Sequence, residues 1–533
     1  MASRRWFIVI VGFSAILHAV AIYRTLVPAQ DGLKFLRVAR DFQSKPWGDV
    51  IRGSDQHPLY PALIAAVEPP LSVVLGSGPE TWRIAAQGVS ALASLILLFP
   101  LYSLARSLFD ERIGLIAVLI YVLLPIPAEV GRDTLGNALG LCCMTLSLWL
   151  GARAIREAAW LPALGSGLVG GVGFLARPEV ILAPAAIGLA WAIHAARGRS
   201  IRSLITTPAL PALGVGALVC VGSYALVKGE VSEKLALRHG ASIGSQKIMH
   251  RTTPQLLPEG LDGAKLDFSP KEESDRSTMR GPVKTLVWIG RQWWDELCWG
   301  FAVMAIWGLT RQRFILSLFK DRDERDSGTV ERLVIGVFVA VYLAVLVRHG
   351  TALGYLSSRH LLPLVVVSVV WAAAGTFVCL HRLGGKLSIR PGTKRLALIT
   401  ASTFVVGAMV VYQLRTSHQS RWGHWAAGRW LAENAQAGQE VLDTRGWARF
   451  VSDNAGGYDY WHVRQALSDQ RLSYVVVGHD ELEVESPRSR TLGALLAFAA
   501  TPIQDFPVRI GGRNVGARIY RFQQPVSWEG FSP

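Results

Sequence analysis

Apolar and polar residues segregate along most of this chain into long blocks. A helix needs roughly 20 apolar residues to cross a bilayer. Eleven runs approach that length: residues 6–27, 82–104, 113–130, 135–150, 161–175, 181–195, 208–227, 286–307, 333–346, 361–380 and 396–412. The third carries Pro125 and Pro127 near its end. The eighth is interrupted by Arg291, Asp295 and Glu296, which predicts an interfacial helix leading into a short span. The first follows Arg4 and Arg5 but exceeds a signal-peptide core of roughly 7–15 residues and lacks a small-residue cleavage site. It is read as a retained helix.

The pattern changes at about residue 415. Residues 425–433 have helical spacing, 440–444 and 473–478 read as short buried strands, 492–500 as a Leu- and Ala-rich helix, and 515–521 as a last strand. The expected architecture is a polytopic α-helical membrane protein of about eleven spans over residues 1–414. Outer loops are expected at 28–81 and 228–284, and a small extracytoplasmic α/β domain at 415–533, long enough for a core of its own.

Composition agrees. The 533 residues are 51% hydrophobic and 18% charged, with mean hydropathy +0.31, whereas soluble domains carry roughly 25% charge. A formal charge of +16 would suit nucleic acid. The basic excess, however, lies in short loops between apolar runs, without the interleaved aromatics of a single-strand groove. If each run crosses once, Arg4–Arg5, Arg106 and Arg112, Arg153 and Arg156, and the basic loops 197–202, 311–332 and 382–395 share one side. The positive-inside bias makes that side cytoplasmic. The N-terminus is then cytoplasmic and the C-terminal region outside, in a multi-pass protein of the cell (inner) membrane. The five cysteines lie in or beside apolar runs, with no zinc spacing and no disulfide framework.

The same assignment gathers the chemistry-bearing turns on the opposite side. Asp31 directly follows the first run. A carboxylate at the bilayer edge, partly desolvated, suits the removal of a proton from an acceptor hydroxyl. Arg37, Arg40 and Asp41 follow within about three helical turns. In His57-Pro58-Leu59-Tyr60-Pro61 two prolines hold His57 and Tyr60. Arg132-Asp133 and Arg177-Pro178-Glu179 sit between closely spaced runs. Their guanidiniums match phosphate oxygens bidentately, and Asp133 and Glu179 can orient them or hold a metal. Lys247 lies in the long loop 228–284. Tyr355, Arg359 and His360 stand at the mouth of the tenth run, placed to meet a lipid phosphate. Each also has a plainer reading, since loop charges cap helices and snorkel, and Tyr and Arg anchor interfaces. Gly165–Gly170 spells G-x-G-x-x-G but follows no strand, so close helix packing explains it better than a dinucleotide. No Walker lysine motif or H-E-x-x-H occurs.

Taken together, Asp31 after the first run, HPLYPALIA at 57–65, GRD at 131–133, FLARPE at 174–179 and YLSSRHLLPL at 355–364 resemble the GT-C membrane glycosyltransferases. The similarity is to the branch holding protein O-mannosyltransferases and lipid A aminoarabinose transferases. The resemblance implies transfer of a sugar from a polyprenyl-phosphate-linked donor to a lipid, glycan or protein acceptor at the outer membrane face. It gives the base role to Asp31 and substrate-binding roles to Asp41, His57, Tyr60, Arg132, Asp133, Arg177, Glu179, Lys247, Tyr355, Arg359 and His360. Many members carry a second acid beside the base. Gly32 stands in that place here, which leaves a divalent metal cofactor open and assigns no metal ligand. Expected partners are the lipid-linked donor, the acceptor and membrane lipids, and not nucleic acid.

Two other classes compete. A membrane transporter or lipid flippase should carry charges near mid-bilayer or an internal repeat; here the notable charges cluster at one surface and no repeat is visible. A membrane-anchored assembly protein would act through its tail alone.

Overall fold

In hydrocarbon a backbone must satisfy its own hydrogen bonds, so each apolar run folds as a helix. The computed structural model describes residues 2–197, 208–229, 281–311, 328–386, 391–415, 417–453, 456–523 and 525. Among the described residues seven helices are long and apolar enough to cross a membrane, and the bent pair Glu111–Leu123 and Pro125–Arg132, turned by 66°, makes an eighth if it counts as one span. The bend falls at Pro125, whose ring cannot continue the helix without losing a hydrogen bond. The expected fifth, eighth and eleventh spans are the shorter apolar helices Trp160–Phe174, Gly300–Thr310 and Ile399–Gln413. Ahead of Gly300 lies the helix Pro282–Glu296, separated by a break at Cys298 and Trp299, as the interrupted pattern predicts.

The glycine-rich stretch at 165–170 is a helix contact. A Cβ on Gly167 would lie 2.1 Å from the Leu213 carbonyl oxygen of the helix Ala209–Lys228, so only glycine lets these backbones meet.

The segment between the first two spans, expected as a loop, is folded. It forms the helices Gln30–Ser44, Trp47–Gly53 and Leu59–Leu75. The first of these buries Phe35, Leu36, Ala39 and Phe42 on one face, against Tyr60, Ile64, Trp82 and Ala86. Lys247 and the rest of 230–280, most of the long loop expected at 228–284, lie outside the described residues.

The C-terminal region holds a four-stranded sheet of β1 (Glu440–Asp443), β2 (Leu472–Gly478), β3 (Ala500–Phe506) and β4 (Ala517–Phe522), in the spatial order β1-β2-β4-β3. Strand β1 runs parallel to β2, and β4 is antiparallel to β2 and to β3. Side chains alternate between two faces. Tyr474, Val476 and Ile519 pack on the helix Trp422–Asn434. Val475, Val477 and Tyr520 pack on Leu492, Leu495 and Leu496 of the helix Pro487–Ala499. Strand β3 is one of the two edge strands, largely exposed and interrupted by Pro502, and carries no alternating apolar signal in the sequence.

Candidate functional site

Asp31 stands in the first turn of the helix Gln30–Ser44, where its charge complements the helix dipole. Arg359 comes from the short 3-10 helix Ser358–Leu361. That turn is fixed locally, because the Ser357 N–H donates to His360 Nδ1 at 3.1 Å in a capping box, and the Tyr342 hydroxyl donates to the His360 carbonyl at 2.9 Å. Arg359 Nη1 then donates to Asp31 Oδ2 at 3.1 Å, across 328 positions of sequence. The Asp31 side chain is 64% exposed and that of Arg359 35%. Burial therefore does not desolvate Asp31, contrary to the expectation from its place at the bilayer edge. An exposed ion pair is worth only about 0–1 kcal/mol, so either partner can exchange the other for a substrate group at little cost.

Beside this pair, Arg177 Nε donates to Glu179 Oε1 at 2.7 Å and its Nη1 to Asn137 Oδ1 at 3.2 Å. Burial disfavours the Arg177 charge, but Glu179, with a smaller pull from Asp31, outweighs it and holds the guanidinium above its usual value. Arg177, Glu179 and Arg359 line one small cavity with Asn137 and Met144, of about 20 Å³, room for one water-sized group. The His349 ring lies edge-on to His360 at 5.5 Å. Its neighbour Arg348 borders an open apolar groove of about 670 Å³ between the helices Pro282–Glu296 and Thr329–Leu353. The structure thus brings Asp31, Arg177, Glu179, Arg359 and His360 together.

Other candidates are placed differently. Asp41 sits farther along its helix, paired with Lys45 at 2.7 Å. His57 is buried, its ring 5.1 Å from Phe174 and 5.5 Å from Tyr224. Tyr60 is fully buried, its hydroxyl 2.9 Å from both the Ala86 carbonyl and Ser90 Oγ. The Leu59 N–H donates to the Leu175 carbonyl at 2.9 Å, so this turn braces the one bearing Arg177. Tyr355 is 56% exposed and makes no described hydrogen bond. Arg132 is buried and donates to the Gln413 carbonyl, tying the bent helix to the last apolar one.

Asp133 is 3% exposed and fully engaged. Its Oδ1 accepts from the Ala29 N–H at 3.0 Å and the Thr134 N–H at 2.8 Å; its Oδ2 lies 2.9 Å from His418 Nε2. Burial alone would raise its pKa, but the His418 bond and charge, the Thr134 N–H and Arg421 together bring it below the ordinary value. Thr134 also explains Gly32. A Cβ there would lie 1.8 Å from Thr134 Oγ1 and 2.9 Å from the Thr134 carbonyl oxygen. A second acid beside Asp31 has no room in this chain.

Contacts made largely by residues that the sequence did not single out complete this face. Arg421 Nη1 donates to the Pro28 carbonyl at 2.7 Å and Trp447 Nε1 to the same oxygen at 3.1 Å, with Arg421 stacked over the Trp447 ring at 4.7 Å. Burial lowers Arg421 to about 10, against the pull of Asp133. Arg40 bonds Asp453 at 2.9 Å. The C-terminal region therefore grips the segment that carries Asp31. Glu129, Asp133 and His418 offer ligand atoms all within 4.8 Å of one another, and form the one metal-competent group of three among the described residues.

With this geometry established, known proteins supply a fold. Residues 73–224 match the family model described as dolichyl-phosphate-mannose-protein mannosyltransferase. The chain superposes on ArnT from Cupriavidus metallidurans, crystallised with undecaprenyl phosphate, at TM-score 0.57 and 12% identity, covering 97% of this chain and 98% of that one. It superposes on the apo oligosaccharyltransferase of Archaeoglobus fulgidus at TM-score 0.51 and 12% identity, covering 89% and 69%. No curated protein sequence matches it. The chain has the GT-C fold, a multi-pass membrane architecture with a C-terminal sheet region.

Proposed function

We propose that this chain is a membrane glycosyltransferase that moves a sugar from a polyprenyl-phosphate carrier to an acceptor at the outer face, with Asp31 as general base. The supporting observation is the meeting of Asp31 and Arg359 beside Arg177 in an ArnT-like fold. The ArnT structure holds undecaprenyl phosphate, a ligand of the chemistry proposed here. Asp31 takes the proton of the acceptor hydroxyl or amine as that atom bonds to the anomeric carbon. The bond from that carbon to the phosphate oxygen breaks, and its electron pair leaves with the lipid phosphate. A single displacement inverts the anomeric centre. The developing phosphate charge needs cations already in place. Arg359 supplies the first, released from its weak pair with Asp31, and Arg177 the second. The apolar groove beside Arg348 suits a prenyl chain. The positive-inside distribution supports a location of this face outside the cytosol.

The test is reconstitution of the full chain in proteoliposomes with a radiolabelled polyprenyl-phosphate sugar and a mixture of lipid and peptide acceptors. Transfer by the wild type, lost in Arg359→Ala at equal protein level, supports the reading. Counterflow of the labelled lipid sugar across the bilayer without any new glycosidic product would replace it with a transporter.

A further inference from the structure

The helices Pro282–Glu296 and Gly300–Arg311 follow one another in the chain but are held very differently. Gly300–Arg311 is locked onto the helix Leu362–Lys386 at close range. A Cβ on Gly375 would lie 1.9 Å from the Met304 carbonyl oxygen, and one on Gly308 2.2 Å from that of Trp371. Between the two helices the backbone turns left-handed at Cys298 (φ 53°) and Trp299 (φ 27°), a conformation that residues with a Cβ rarely adopt. Strain of this kind persists only where the surroundings impose it. On the Pro282 side of the break, Glu296 is 2% exposed. Its Oε1 accepts from Gln292 Nε2 at 2.9 Å, while its Oε2 has no partner among the described residues. A buried oxygen left unbonded is a second sign of strain at this junction.

The helix on that side touches both the groove and the surroundings of Arg359. Its Pro282 and Leu286 wall the apolar groove opposite Leu343, Val347 and Thr351. Its Thr285 closes on Gly350 together with Leu356: a Cβ on Gly350 would lie 2.6 Å from Thr285 Cγ2 and 2.9 Å from Leu356 Cδ1. Its Trp293 Nε1 donates to Ser368 Oγ at 3.0 Å. Leu356 stands just before the turn that carries Arg359, and Ser368 lies in the helix that directly follows that turn. A displacement of Pro282–Glu296 is therefore felt on both sides of Arg359.

We infer that Pro282–Glu296 is a strap hinged at Cys298 and Trp299, and that the carrier's prenyl tail, by filling the groove, sets the seat of the strap and through it the position of Arg359. Thr285 is then a positioning residue, and Leu286 a determinant of carrier specificity. The length of the tail is read in turnover and not in binding alone. Binding energy from a remote part of a substrate, used to orient a reacting group, has this signature: a truncated substrate loses kcat as well as affinity. The inference rests on the proposed reading of the groove as a prenyl site, but the device is separate from the chemistry at Asp31.

The experiment uses the purified full chain in detergent with two probes, undecaprenyl phosphate and the far shorter geranyl phosphate, and follows amide hydrogen exchange by mass spectrometry. Undecaprenyl phosphate should slow exchange both in 282–296 and in 355–361; geranyl phosphate at saturation should slow neither. With sugar donors on the same two carriers, the short tail should lower kcat about 10²-fold at saturating donor, as for a misplaced catalytic group. Thr285→Ala, a mild truncation, should leave the response of 282–296 to undecaprenyl phosphate in place and lose that of 355–361. A tail length that changes KM alone overturns the inference, as does slowed exchange confined to 282–296 in the wild type. Slowed exchange in both segments without sugar transfer from any donor keeps the strap and removes the glycosyltransferase reading.

Discussion

Two acid–base pairs stand on the same face of this molecule and differ in almost every physical respect. Asp31 and Arg359 are joined by one bond between half-exposed side chains. Asp133 is buried, bonded on both oxygens, and tied to three segments of chain. The first pair is weakly held and stays available to substrate. The second holds together the parts that aim the first: Asp133 fixes Ala29, and Arg421 and Trp447 fix Pro28, directly ahead of Asp31. A group meant to react must be cheap to uncouple, whereas a group that positions it must not be.

The contrast can be broken from either side. The largest effect should come from Asp133→Ala, which strands two backbone N–H groups and His418 in a buried place. Loss of one partner from a buried charged network costs about 3–5 kcal/mol, so unfolding in detergent should occur at a clearly lower temperature. An unchanged midpoint would mean that the clasp carries no load. The same residue sets a pH signature. Because its folded pKa lies below the ordinary 3.8, its contribution is complete above that value and fades as pH falls through the depressed one. Acid unfolding of the wild type should show this component, and Asp133→Ala should lack it.

Next comes Arg359→Ala, with the opposite profile. Losing a preorganised cation at a developing phosphate costs about 10²–10³ in turnover, while stability should change by less than about 1 kcal/mol. Equal falls in stability and turnover would make Arg359 a structural residue. Gly32→Asp sharpens the boundary between the two regions. The added side chain meets Thr134, and overpacking of this kind costs about 1–3 kcal/mol; a gain of activity from a second acid would contradict the close contact. The smallest effect is expected for Tyr355→Ala, within about 0.5 kcal/mol in stability, as for an exposed side chain without partners.

The sequence made the membrane architecture legible because a run of roughly 20 apolar residues has few other physical meanings. The eleven expected runs all fall on helices, seven of them of spanning length and an eighth if the bent pair is one span, while the apolar helix Leu59–Leu75 lies where a loop was expected; the bend occurs at Pro125, a proline already visible in the pattern. The helix Gln30–Ser44 was harder to see. Its apolar face of Phe35, Leu36, Ala39 and Phe42 has helical spacing, but a short helix lying on the surface leaves no span-length signature.

The candidate site divided in a similar way. Asp31, Arg177, Glu179, Arg359 and His360 stood out as charged or titratable residues where apolar runs end. Glu129 lay inside an apolar run and passed as part of it. His418, Arg421 and Trp447 gain meaning only through proximity, and His418 meets a residue 285 positions away. The steric demand of Thr134 on Gly32 is likewise a property of two backbones brought together, which no local pattern encodes.

The central claim is best tested by measuring sugar transfer from a labelled polyprenyl-phosphate donor by Asp31→Asn, with donor binding measured on the same preparation. Removing a general base should lower turnover by about 10²–10⁴ while leaving donor affinity and thermal stability close to wild type. Transfer within about twofold of wild type would contradict the account and free Asp31 of its role.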